Sequence, residues 1–391
     1  MFFIVDNENF CNFAVRKLHM VKLLYIFCLI LILFLPSCIS DTEIIVPDTV
    51  DDDDSNIELI LSFNNPTRAQ EEREGNIDEN FLGINEKDYK VAVFNGDGVY
   101  VGNFEPTQTN YNVEAGGNDV ILKGYLKKSL VKENTSLQLI MLVNWNTFGN
   151  IYPDNFDEKN LADLYNDNVS YNYTMYGLNY YYSWRPNAQE KKGIPMFGVS
   201  EIKTLPGNID IEKDIVTLAF RINLIRCMAK IMVENHFKDN VGEAGYNIKS
   251  ISLSKYNKKG TLIPHEWQHD SKGVTSPWLP KTESGEYDLN EGTNLYLYKE
   301  KENPETWVGY IPEAAYNESD EKPVLNFIIE AKTESINKAL PIFRDYTTES
   351  DRKLLRNNIY NYEISISEKE IFLDYTVCPW DDNEETIFDY K

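Results

Sequence analysis

Alternating apolar residues, cut at short intervals by glycine, proline, asparagine and aspartate, constrain this chain more than any other feature. They read as strands: SLQLIMLVNW (136–145), IVTLAFRINLIRCMAKIMVE (215–234), IKSISLSKY (248–256), NLYLY (294–298), PVLNFIIEA (323–331), IYNYEISIS (359–367) and IFLDYTVCPW (371–380). YKVAVF (89–94) and VYVGNF (99–104) flank Asn95-Gly96-Asp97-Gly98, the turn chemistry that a two-strand connection requires. One stretch predicts a helix, NFDEKNLADLY (155–165), where acidic residues precede an apolar i, i+3/i+4 pattern. Many strands and few helices predict an all-β fold, mainly antiparallel, built as two tandem β-sandwich domains. The window 205–235 is where the boundary between them is expected. No repeat of solenoid period is present.

The N-terminus reads as an address. From Met20 the sequence runs MVKLLYIFCLILILFLPSC, with Lys22 ahead of a 13-residue apolar run, Leu23 to Leu35. A bilayer-spanning helix needs about 20 residues, so this run is a signal-peptide core. Met20 is then the start, and 1–19 precede it without a pattern of their own. Leu35-Pro36-Ser37-Cys38 resembles a bacterial lipobox, with Cys38 as the lipidated residue. An ordinary secretory signal that ends near a cysteine is the alternative. Asp51-Asp52-Asp53-Asp54 then reads as a solvated tether, because it lacks the spaced ligands and glycine of a calcium loop.

With 62 acidic against 38 basic residues the net charge is −24, which repels phosphate backbones and excludes a nucleic-acid partner. No Cys-x-x-Cys pair exists, and only Cys227 and Cys378 fall in the folded body, as one disulfide or two free thiols. His265-Glu266-Trp267-Gln268-His269 matches the zinc-peptidase signature, which works only on a helix, where i, i+4 spacing puts both imidazoles on one face. Here Pro264 precedes it, DSKGVTSPW follows, and no third histidine ligand is spaced to help. That context predicts a loop, with Trp267 and Trp278 capping the core. No other catalytic constellation stands out, and neither a metal nor a cofactor is expected. Tyr171, Tyr173, Tyr176, Tyr180, Tyr181, Tyr182 and Trp184 are read as core and edge packing, with a sugar- or partner-binding surface as the alternative.

Residues 57–63 alternate: Ile57, Leu59, Leu61 and Phe63 share one face, so the segment predicts a half-buried strand that stops at Pro66. Residues 69–88 then read as a charged linker, and on composition alone Arg68, just before it, is a solvated residue.

Several stretches, in this order, resemble the FimA-type fimbrillins, the type V pilin family of Bacteroidales. NNPTRAQ (64–70) before YKVAVFNGDG is similar to the family's processing site and the strand after it. GIPMFGVS (193–200), LIRCMAKIMVE (224–234), PVLNF, RNNIYNYEISI (356–366) and LDYTVCPW (373–380) resemble its later segments. The resemblance covers nearly the whole chain from Cys38 and implies a transthyretin-like pilin architecture of two sandwiches. The implied division is 1–38 signal peptide, 39–68 tether and removable first strand, 69–212 first sandwich, and 213–391 second sandwich ending in a donor strand. It further implies a lipid-anchored outer-membrane precursor, cut between Arg68 and Ala69 by an arginine-specific protease, with Arg73 as a second candidate. The strand carrying Ile57, Leu59, Leu61 and Phe63 then leaves, and the C-terminal strand of another subunit, here Ile387, Phe388 or Tyr390, takes its place. The partners are other fimbrial subunits, the location is a cell-surface fimbrium, and the role is adhesion. A non-polymerising lipoprotein that binds glycans through the tyrosines, and a zinc peptidase using His265, Glu266 and His269, are the alternatives.

Overall fold

The apolar stretch 215–234 does not run as one strand: it breaks at Cys227 and serves two different sheets. The structure, a computed structural model, describes residues 57–64, 78–110, 119–127, 130–132, 134–148, 161, 170–173, 182–207, 216–237, 245–263, 268–270, 273–276, 294–301, 303–316, 322–331, 334–343, 352–367 and 370–379. Met20, Cys38, Arg68, Ala69, Arg73, His265, Glu266, Ile387, Phe388 and Tyr390 lie outside these residues. Of the expected helix at 155–165 only Leu161 falls within them, in helical conformation.

One nine-stranded sheet takes its strands from the first part of the chain. They are β1 (Ile57–Asn64), β2 (Tyr89–Asn95), β3 (Tyr100–Asn103), β4 (Glu105–Asn110), β5 (Asp119–Leu126) and β6 (Ser136–Val143). After the short β7 (Ser170–Asn172), which pairs elsewhere, come β8 (Met196–Ser200), β9 (Lys203–Thr204) and β10 (Val216–Arg226). The order is β3-β2-β6-β8-β10-β1-β5-β4, with β9 beside β6. The β2–β3 hairpin forms as its turn chemistry predicts. Asn95 accepts from the amides of Asp97 (3.0 Å) and Val99 (2.9 Å), and Gly98 takes φ 76°. Central β6 is buried on both faces, which is why it reads as an unbroken apolar run. In β8, a Cβ on Gly198 would stand 2.5 Å from Ile222 Cγ2 and 2.8 Å from the Asn223 carbonyl, so β10 can lie this close only against glycine.

At Cys227 the amide turns aside to bond the Pro195 carbonyl (2.8 Å), and the chain enters its second group of sheets. These use β11 (Met228–Asn235), β12 (Asn247–Leu253), β13 (Lys259–Thr261), β14 (Gln268–Asp270), β15 (Gly273–Ser276), β16 (Leu295–Tyr296), β17 (Tyr298–Lys299) and β18 (Thr306–Pro312). They continue with β19 (Ala314–Ala315), β20 (Val324–Glu330), β21 (Ser335–Pro341), β22 (Lys353–Leu354), β23 (Asn358–Ser367) and β24 (Glu370–Pro379). A five-stranded sheet runs β17-β18-β11-β23-β24 and a four-stranded one β16-β12-β20-β21. Tyr362 of β23 donates to the Ile342 carbonyl just past β21 (3.0 Å), tying one sheet to the other across the sandwich. The pairs are antiparallel except β1 with β10 and β11 with β23. Buried side chains of both groups form one contiguous core.

Both body cysteines are free. Cys378 of β24 faces Ile359 of β23, which in turn pairs with Lys230 of β11. A whole strand therefore separates Cys378 from the strand that begins after Cys227. Two strand spacings, about 9.5 Å, exceed disulfide reach. Burial pushes the Cys227 thiol up to about 12, so it stays protonated and inert.

Candidate functional site

The alternation at 57–63 sets β1 deep in the nine-stranded sheet, not at its edge. β10 lies parallel on one side, from Ile57 opposite Val216 to Asn64 opposite Asn223. β5 lies antiparallel on the other, from Ile57 opposite Leu126 to Asn64 opposite Asp119. Ile57, Leu59 and Leu61 have 0% exposure. Phe63 continues the strand's backbone register, opposite Ile222 of β10 and Val120 of β5. On the other face Glu58 accepts the Thr217 hydroxyl (2.8 Å), and the Ser62 hydroxyl donates to the Phe220 carbonyl (3.3 Å).

Burying three such side chains stabilises the fold by roughly 5–9 kcal/mol, before any ladder hydrogen bonds are counted. Withdrawing β1 would therefore open an eight-residue slot with an apolar floor and two unpaired edges, β10 and β5. An empty slot of that kind is costly, and a strand of similar alternation is what relieves it. Leu59→Ala should lower the stability of the intact chain by about 2–5 kcal/mol, read by urea titration. A loss under about 1 kcal/mol would mean that β1 is not packed as described.

The segment that follows is not the solvated linker its composition predicts, at least from Asp78 onward. Phe81, Leu82 and Ile84 are core residues. Asn144, fully buried at the end of β6 with φ 55°, accepts from the Gly83 amide and donates to the Phe81 and Ile194 carbonyls, each at 2.8 Å. Asp78 accepts from the Ala188 amide (2.7 Å). Glu79 meets Lys230 of β11 (2.7 Å) and the Tyr310 hydroxyl of β18, and Asn80 accepts from Arg226 (3.3 Å). The charge pattern of 69–88 hid this because its acids are read as solvated, whereas Glu79 has a buried cation waiting for it.

Burial works against the Glu79 carboxylate, but Lys230 and the Tyr310 hydroxyl outweigh it and hold its pKa below the ordinary 4.5. A depressed carboxylate contributes stability that is present above its unfolded pKa and lost as pH falls through the folded one. The urea midpoint of the wild-type chain should therefore fall more steeply than that of Glu79→Gln as pH drops from about 5 to about 3. Parallel curves would remove Glu79 from the acid response.

The β23–β24 hairpin carries the chain to Pro379 on an outer edge: β24 has no second strand partner among the described residues. Its Ile371, Leu373, Tyr375 and Val377 pack against the core, while Phe372 on the opposite face is 45% exposed. The expected donor residues follow it in sequence.

Of the zinc signature only Gln268 and His269 are described, and they lie on a short strand rather than in the expected loop. Gln268–Asp270 is strand, paired antiparallel with Gly273–Ser276 across a one-residue irregularity between Gln268 and His269. His269 therefore sits on extended backbone, where residues four apart do not share a helix face. Among the described residues no three His, Cys, Asp or Glu side chains gather as a metal-holding set.

The tyrosine patch divides. Tyr171, Tyr173 and Trp184 are buried around Phe148, with Tyr171 stacked on it at 4.7 Å. The Tyr171 hydroxyl donates to the Cys227 carbonyl (3.0 Å), and that of Tyr173 to the Tyr310 carbonyl (2.6 Å). These rings join the two groups of sheets. Tyr182 alone of the described members is exposed, stacked on Tyr298 at 5.2 Å.

Set beside known structures, the chain is similar to the C-terminally truncated tip fimbrial protein Mfa3 from Porphyromonas gingivalis. The alignment covers 83% of this chain and 100% of that one, with a TM-score of 0.51 and 16% identity. A fimbrial assembly protein from Parabacteroides distasonis aligns over 85% of this chain and 99% of its own, at TM-score 0.45 and 17% identity. No protein-family model and no curated protein matches the sequence.

Proposed function

We propose that this chain is a structural subunit, stalk or tip, of a type V fimbria, that it has no enzymatic activity, and that it serves adhesion at the bacterial surface. The observation that carries the reading is β1, an apolar strand with an interior place in the sheet, followed by an arginine-bearing stretch and then a firmly anchored segment. The fold shared with a fimbrial tip protein supports it. In this account the chain is exported as a lipoprotein modified at Cys38 and held at the outer membrane. An arginine-specific protease then cuts between Arg68 and Ala69.

The body tolerates the cut because Asp78 through Ile84 are tied to both groups of sheets without help from β1. Another fimbrial subunit fills the vacated slot with its C-terminal strand, and this chain offers 386–391 in turn, through Ile387, Phe388 or Tyr390. The division into two sandwiches then belongs at Cys227, where the chain changes sheet. Digestion of the purified precursor with an arginine-specific protease tests the reading. A ladder of oligomers on unboiled gels is expected, and a product that stays monomeric at every concentration would count against polymerisation.

A further inference from the structure

Exposed Tyr182 belongs to a surface cluster whose polar groups the fold does not use. Around β16 and β17 the alternation sends Leu295 and Leu297 into the core and leaves Tyr296 and Tyr298 half-buried. The Ser183 amide bonds the Tyr296 carbonyl (2.8 Å), which sets Tyr182 alongside both rings. The Tyr182 ring stacks on Tyr298 with centroids 5.2 Å apart and stands 5.6 Å from Tyr296. The exposed Arg185 guanidinium lies 5.0 Å from the centre of the Tyr298 ring.

Buried tyrosines spend their hydroxyls: those of Tyr171, Tyr173 and Tyr362 each donate to a backbone carbonyl. In the cluster, by contrast, the hydroxyls of Tyr182, Tyr296 and Tyr298 and the Arg185 guanidinium make no hydrogen bond or ion pair with any described residue. Arg185 acts on Glu190 only weakly, and that carboxylate is already bonded to Lys192 (2.7 Å). Packing explains the stack of rings. It does not explain why a cation without a paired carboxylate sits on that stack in a chain whose net charge is −24.

We infer that Tyr182, Tyr298 and Arg185 form a binding platform for a sugar ring that carries one carboxylate, a terminal sialic acid or a uronic acid. The C–H face of a pyranose lies on the electron-rich face of an aromatic ring. The guanidinium fork takes the carboxylate through two parallel hydrogen bonds, and the tyrosine hydroxyls serve the sugar's own hydroxyls. A neutral sugar forgoes the charged contact, and a polyanionic chain is repelled by the protein's net charge. A single acidic ring therefore gains most. The inference names the ligand of the adhesion proposed above and rests on that reading for its biological role alone.

Isothermal titration of the full, uncut chain tests it with two matched pairs of sugars: 3′-sialyllactose against lactose, and methyl glucuronide against methyl glucoside. At least one acidic sugar should bind about tenfold tighter than its neutral counterpart, and the pair that shows the gap identifies the source of the carboxylate. The gap should close in Arg185→Gln and narrow in concentrated salt. Tyr182→Ala should weaken acidic and neutral sugars alike by about fivefold, whereas Tyr182→Phe, which keeps the ring, should bind as wild type does.

No gap in either pair overturns the proposal. A gap that survives both Arg185→Gln and Tyr182→Ala puts the site elsewhere and overturns it as well. The titrations need no cleavage, so their failure leaves strand exchange standing. A cut chain that never polymerises leaves the sugar site standing in turn.

Discussion

Glu313→Ala should lower the stability of the intact chain by about 3–5 kcal/mol, a large fraction of what a protein of this kind has in total. Arg356 is wholly buried, and its Nε and both terminal nitrogens donate to neighbouring oxygens. Its Nε donates to Glu313 Oε2 (2.7 Å), one terminal nitrogen to the Leu262 carbonyl (3.0 Å), and the other to the Thr261 carbonyl (2.9 Å) and to Glu313 Oε1. The Thr261 hydroxyl donates to the same carboxylate (3.2 Å). Burial works against the guanidinium, but the Glu313 carboxylate beside it prevails and holds its pKa above the ordinary arginine value.

Removing Glu313 strips a buried cation of the carboxylate that holds it from two sides. It also removes the acceptor of the Thr261 hydroxyl. Urea unfolding at neutral pH reads the loss. Replacing both partners together, Glu313→Leu with Arg356→Met, should cost much less than the single change, because no charge is then stranded. A single variant within about 1 kcal/mol of wild type would mean that the pair is hydrated.

Arg68→Ala should abolish polymer formation while leaving the precursor folded. The slot in the nine-stranded sheet is full while β1 occupies it, and three fully buried side chains on an interior strand do not leave spontaneously. Covalent continuity with the anchored Asp78–Ile84 segment also keeps β1 at high local concentration after any transient opening. In the proposed scheme, cleavage at Arg68 would remove that tether and let β1 be lost to solvent. Without it the effect is all or none: unboiled gels of the variant after protease treatment should show monomer where wild type shows a ladder. An intact melting transition in the variant separates this result from misfolding. A normal ladder would shift the gate to Arg73 or elsewhere.

Strands with a clean alternation were legible in the sequence: β1, β10, β20 and β23 announce themselves because one face is less buried than the other. Fully buried β6 was legible only as a long apolar run. β18, TWVGYIP, is buried along its whole length and has Gly309 in the middle, so its pattern has no period to find. β5 is interrupted by Gly124, and β21 is exposed almost throughout, so neither shows a clean alternation. The stretch 215–234 reads as one strand because both sheets want the same residues; only the Cys227 amide, turned toward Pro195, marks the break.

The signatures behind the fimbrillin resemblance gain a physical meaning from the structure. Arg226 and Lys230 receive Asn80 and Glu79, and Arg356 receives Glu313. Asn357 takes φ 56° and accepts from the Arg226 amide (3.1 Å), while the Tyr360 hydroxyl caps the Leu355 amide (2.7 Å). Sequence order shows these residues close together along the chain, but not that their partners lie far away in it. Glu79 and Glu313 were invisible for that reason: in so acidic a chain a carboxylate becomes informative only when its cation is seen.

The central claim is that β1 is a resident of its own sheet only until the subunit joins another. N-terminal sequencing of polymer assembled from protease-treated wild-type protein, with mass spectrometry of any retained peptide, tests it most directly. The account predicts subunits that begin at Ala69 and carry no peptide spanning Ile57–Asn64. Polymer whose subunits still begin at Cys38, or still hold that peptide in the slot, would contradict it.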